Sequence, residues 1–275
     1  MKKLAILAVL CLCVTGAQAY TYHEDNEMYG HITDAFFMPR QGQIVIDTTG
    51  SFGKYEPNSG DNYEFYQLDG RLGIGFTDWL ELGAGIGYRI DKDENAAGDK
   101  EKDFTNPYAY GRIRAIDRMF VLDVIAKATF DAMDTVAEGG IESGTQKYEA
   151  GVLGGLRFNR VSVGAKIMGG YWYKGDEIYN PDEDYMVNVT GDVFVNFRPL
   201  NFLNLGAHAG LTSYAVDASD YNFYEYFAGV SADLSIIEGH LAVGAYYDFV
   251  TMDDDDSVLV KYDQHNFGIR LKAAF

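Results

Sequence analysis

The 275-residue chain holds only two cysteines, Cys11 and Cys13, both within its first fourteen residues. A mature chain that starts after them carries no thiol, so it holds no disulfide and passes an oxidising compartment without mispairing. Proline is scarce, 5 residues against 31 glycines and 21 tyrosines, and this balance favours strands and turns over helices. Past the first fourteen residues no run approaches eighteen consecutive apolar residues, which excludes helical membrane spans. Positive charge is short as well: 22 Lys and Arg against 41 Asp and Glu leave a net charge of −19. Such a polyanion repels phosphate backbones, and nucleic acid is set aside as a partner.

What is present begins with Lys2 and Lys3, the apolar run from Leu4 to Val14, and Ala17-Gln18-Ala19. This is the layout of a removed export signal over residues 1–19, with the mature chain starting near Tyr20. Each cysteine follows a leucine, a poor fit to a lipoprotein cleavage site. Residues 20–42 show no sustained period and are polar at His23, Glu24, Asp25 and Glu27. They read as a periplasmic lead-in, too short for a folded plug domain. His23, Glu24, Asp25 and His31 have no fixed ligand spacing, so the reading there is a solvated tail, and no metal or cofactor is expected.

From Gln43 to the end the chain alternates apolar and polar residues with period two, the signature of strands with one oily and one wet face. The second strand sets Tyr66, Leu68, Leu72, Ile74 and Phe76 against Phe65, Gln67, Asp69 and Arg71; the third sets Leu80, Leu82, Ala84, Ile86 and Tyr88 against Glu81 and Arg89. In the fourth, Ile116 breaks phase. Placing Arg112 and Arg114 inward is still favoured, because two arginines in lipid would cost about 2–4 kcal/mol each near the midplane. The count of strands is twelve, with long polar connections after odd strands, such as Lys92 to Phe104 and Lys174 to Asp184, and tight turns after even ones. Outward aromatics gather at strand ends, with Tyr88, Tyr171, Tyr173, Tyr185, Tyr224 and Phe249 toward the long loops and Phe76, Phe158, Phe197 and Phe275 toward the turns.

The last strand, His265 to Phe275, alternates His265, Phe267, Ile269, Leu271, Ala273 and Phe275 with Asn266, Gly268, Arg270, Lys272 and Ala274, and ends on a phenylalanine. It resembles the closing strand of Gram-negative outer-membrane β-barrel proteins, porins among them. That resemblance implies an outer-membrane location, lipid and lipopolysaccharide around the wall, and insertion by the barrel assembly machinery. The expected fold is all-β: residues 43–275 as a single antiparallel up-and-down transmembrane barrel of 12 strands.

Twelve strands about 4.8 Å apart, tilted by about 40°, close on a backbone circle roughly 24 Å across, leaving about 10 Å between side chains. The expected lining is mixed in sign: Asp47, Asp69, Glu81, Asp123, Glu149, Asp192, Glu225, Asp233 and Asp248 face Arg71, Arg89, Arg112, Arg114, Lys127, Arg157, Lys166, Arg270 and Lys272, with Tyr108, Tyr110 and His208 among them. Glu81, Arg112, Arg114, Asp123 and Arg157 fall at similar heights near the periplasmic end, which suggests a ladder of ion pairs across the wall. Inward glycines cluster at Gly73, Gly75, Gly83, Gly85 and Gly87, and Tyr108 and Tyr110 are placed to cover that bare backbone. The function read from this lining is a passive pore for small polar solutes. A closed barrel serving adhesion or envelope architecture is the second reading. A lipid-modifying enzyme is the third and weakest, because Ser162, Ser231, His208 and His265 form no Ser-His pair by spacing; the chain is not read as an enzyme.

Overall fold

The computed structural model describes residues 31–57, 62–93, 100–133, 146–173, 185–216, 222–253 and 262–275. The expected export signal, the first part of the lead-in, and most of the long connections, including the Lys174 to Asp184 loop and Asp254 to Asp256, lie outside the described residues. Thirteen strands are present: β1 (Ile44–Pro57), β2 (Tyr63–Thr77), β3 (Leu80–Asp93), β4 (Lys100–Phe104), β5 (Tyr108–Asp117), β6 (Phe120–Thr129) and β7 (Gln146–Arg157). They continue with β8 (Val161–Tyr173), β9 (Tyr185–Leu200), β10 (Leu203–Val216), β11 (Asn222–Ile237), β12 (Leu241–Asp253) and β13 (Tyr262–Ala274).

Neighbours in sequence pair antiparallel, and β1 pairs with both β2 and β13, so the sheet closes on itself. β4 and β5 lie end to end along β3, with Tyr88 opposite Phe104 and Gly85 opposite Tyr108, and together form one stave interrupted at Thr105 to Pro107. The wall therefore has twelve staves. The seam between first and last strand runs from Val45 opposite Ala274 to Pro57 opposite Tyr262.

The phase break at Ile116 has a local cause. The β5–β6 register shifts between Arg114 and Ile116, a bulge that spends Ala115 as the extra residue, so Arg114 still faces in and Ile116 faces out. The outward residues form an apolar belt, with Leu68, Ile86, Val189, Val193, Val230 and Ile269 all exposed. Exposed aromatics mark its edges, among them Tyr171, Tyr173 and Tyr224 toward the long loops and Phe76, Phe158 and Phe197 toward the turns. A band of this kind is the surface an acyl phase requires.

The second half of the lead-in does not lie below the barrel. Residues 31–40 run across the inside of its short-turn end, where His31, Ile32, Thr33, Asp34, Phe36, Met38 and Pro39 are buried. Two turns coil this segment: Asp34 N–H donates to the His31 carbonyl at 2.8 Å and Phe37 N–H to that of Asp34 at 3.0 Å. The chain then reverses into β1 at Gly42, whose φ of 79° lies in the region open to glycine. A short segment fills the mouth because the wall supplies its partners.

Candidate functional site

The site is the lumen, which has three levels. At the short-turn mouth, residues 31–40 form a plug. Phe36, with no exposed surface, packs on Val121, Leu153 and Phe194, meeting the Phe194 ring edge-on at 5.3 Å between centroids. Ile32 packs on Val45, Ala242 and Ala274, close to the seam. Polar bonds fix the plug between these two contacts. Ser162 Oγ donates to Asp34 Oδ2 at 2.6 Å, and Asn204 Nδ2 donates to Thr33 Oγ1 at 3.1 Å. Arg112 donates to the carbonyls of Phe37 (2.9 Å) and Ala35 (3.0 Å), and Arg114 to that of Phe36 (2.6 Å).

Asp123, fully buried, sets both arginines: Arg112 Nε reaches its Oδ2 and Arg114 Nε its Oδ1, each at 2.7 Å. The expected ladder is thus present in part and does a different job. Arg157 pairs with Asp117 at 2.8 Å, not with Asp123, and Glu81 accepts the Tyr110 hydroxyl at 2.6 Å. Arg112 Nη1 and Nη2 and Arg114 Nη2 are aimed at the plug backbone, while Arg114 Nη1 donates to Asp117 at 3.3 Å. Buried guanidiniums of this kind are stable only when every donor finds an acceptor.

Above the plug lies a cavity of about 120 Å³ bordered by Phe37, Val45, Arg71, Glu81, Tyr110, Arg112, Ile125 and Lys272. Arg71 reaches Asp47 at 2.9 Å. Tyr110 and Tyr108 lie over Gly83 and Gly85 closely enough that a Cβ at either glycine would collide with a ring.

The third level, toward the long loops, is lined by further pairs. Lys127 and Lys147 share Glu149, Asp69 accepts from Gln67, and Arg89 pairs with Asp91 while lying over Phe65. His208 stands between Asp248 at 2.9 Å and Asp192 at 3.5 Å. Glu225 takes the Tyr214 and Tyr262 hydroxyls, and Lys166 sits opposite Asp192 in the ladder; lower down, at the level of the plug, Asp233 stands opposite Asn204 and takes Arg270 at 2.6 Å.

Ser162 serves the plug, and His265 bonds the Tyr247 hydroxyl at 2.8 Å on the outer face; among the described residues no serine is shown bonded to His208 or His265. Sequence reasoning missed Asp34, Phe36 and the backbone carbonyls that Arg112 and Arg114 hold. A signal for them existed in the apolar Val45, Val121, Ile125, Leu153 and Phe194 on the wet face near the turns.

No family model matches the chain, and no curated protein does. Solved structures do. An outer-membrane channel from Pseudomonas putida F1 matches 93% of this chain and 100% of its own, at 10% identity and a TM-score of 0.69. The fold is that of an outer-membrane β-barrel. The NanC porin matches 82% of this chain and 98% of its own at 9% identity and a TM-score of 0.52. The β domain of the Bordetella autotransporter BrkA matches 86% and 100% at 16% identity and 0.50. In such barrels the short turns face the periplasm and the long loops the outside, which puts the plug at the periplasmic mouth.

Proposed function

We propose that this outer-membrane barrel is a channel for small polar solutes whose periplasmic mouth is closed at rest by residues 31–40. The observation that carries the reading is the contrast between the two ends of the lumen. The mouth is packed, whereas above it side chains such as Lys127 and His208 keep about a third of their surface open, 36% and 33%. Side chains fill the bore of a barrel of about eight strands, and a wider wall leaves room that they need not fill. This one leaves a polar vestibule that ends on a small stopper, and the stopper is held by hydrogen bonds that displacement returns to water. Location in the outer membrane follows from the apolar belt and the fold.

Because the mature chain is free of cysteine, a lock can be introduced cleanly. With Asp34→Cys and Ser162→Cys, the oxidised protein in a planar bilayer stays silent and the reduced protein opens. A chain lacking residues 20–40 gives steady ohmic steps. A folded, plug-deleted barrel that remains silent overturns the channel and leaves the closed architectural barrel.

A further inference from the structure

The cavity between plug and wall has an apolar side, Phe37, Val45 and Ile125, and a polar side dominated by cations. Of its three cations, Arg112 is committed to Asp123 and two plug carbonyls, and Arg71 gives one N–H to Asp47. Lys272 is not committed. It is 8% exposed, and among the described residues no hydrogen bond or ion pair holds its ammonium; its partner is the face of Phe37, 4.9 Å from the ring centroid. Asp47 lies opposite it in the β1–β13 ladder; its Oδ2 takes Arg71, and its buried Oδ1 makes no hydrogen bond to the ammonium. A buried ammonium over a ring lacks the acceptors its three protons require. The one anion on the lining, Glu81, stands three staves away round the wall and already accepts from Tyr110.

We infer that this cavity binds a short aliphatic monocarboxylate, its carboxylate taken by Lys272 and the uncommitted N–H groups of Arg71, its alkyl part resting on Phe37, Val45 and Ile125. The inference deepens the channel reading by naming a solute class and rests on it for its purpose, whereas binding itself needs only the seated plug. The space holds several waters or one compact solute. Glu81 rejects a second carboxylate, because like charges at this depth are weakly screened.

Isothermal titration of the refolded mature chain in a non-ionic detergent tests this with butyrate, acetate, succinate and inorganic phosphate. Butyrate binds saturably and more tightly than acetate, succinate or phosphate. Lys272→Met weakens butyrate about tenfold or more, the loss expected for one charge-assisted hydrogen bond. Phe37→Ala erases the preference for butyrate over acetate, and Arg160→Gln, an exposed arginine on a short turn outside the lumen, changes nothing. Absence of saturable butyrate binding, equal binding by Lys272→Met, or phosphate preferred to butyrate overturns the site. Failure of the channel reading is seen separately, as a silent plug-deleted barrel in the bilayer, and leaves the titration intact.

Discussion

Asp123 holds two guanidiniums, and through them three backbone carbonyls of the plug. Asp123→Asn keeps the shape and removes the charge, stranding two buried cations. The refolded barrel is expected to lose about 3–5 kcal/mol, the usual cost of breaking a buried pair, read as a drop in its urea midpoint. His31 offers a different handle. Its Nδ1 accepts from the Thr33 N–H at 3.3 Å and meets the Thr33 hydroxyl at 2.8 Å, which favours the neutral ring. Burial holds its pKa down to about 4, aided by Arg198, Lys272 and Arg270 and opposed by Asp233. The unfolded imidazole titrates near 6.5, so the seated plug binds fewer protons than the released one. Seating is fully supported above about pH 6.5 and loses that support as pH falls toward about 4, by up to about 3 kcal/mol. Open probability in a bilayer therefore rises over that interval, and His31→Gln flattens the rise.

Among the elements, the plug and the wall are separable. Phe36→Ala removes a fully buried ring from the contact with Val121, Leu153 and Phe194, a loss of about 3–5 kcal/mol that falls on seating while each ladder of the wall stays intact. Conductance without any cross-link, at an unchanged far-ultraviolet spectrum, is the expected result. The staves were legible in the sequence because period two is a local signal, repeated along every strand. Even Arg112 and Arg114 were oriented correctly by the cost of the alternative, although the bulge at Ala115 that permits it was not foreseen. The plug was not legible for the opposite reason. Its bonds join residues far apart in sequence, such as Asp34 with Ser162 and Thr33 with Asn204, and no repeat announces them. The clue was a contradiction inside the pattern: Val121, Leu153 and Phe194 sit on a face that water alone would not reward.

For the whole molecule, the outer belt and the inner charges answer to different solvents. Val193, 60% exposed in the middle of β9, faces the acyl phase, and Val193→Arg is expected to cost about 2–4 kcal/mol in unfolding from lipid vesicles, with less effect in detergent. The mixed signs of the lumen resolve into local pairs, within one stave, between neighbouring staves or across two. What the composition could not convey is which charges were left over, because that depends on atoms meeting at a few ångströms. The stopper is also anchored on the side it closes. It hangs from Gly42 at the short-turn rim, so tension applied to the chain at His31 from the periplasm peels it, parting Thr33 from Asn204 before Asp34 from Ser162 and the arginine grips last. Peeling breaks bonds in succession where shearing would break them together, so a pull from that side meets the smaller resistance.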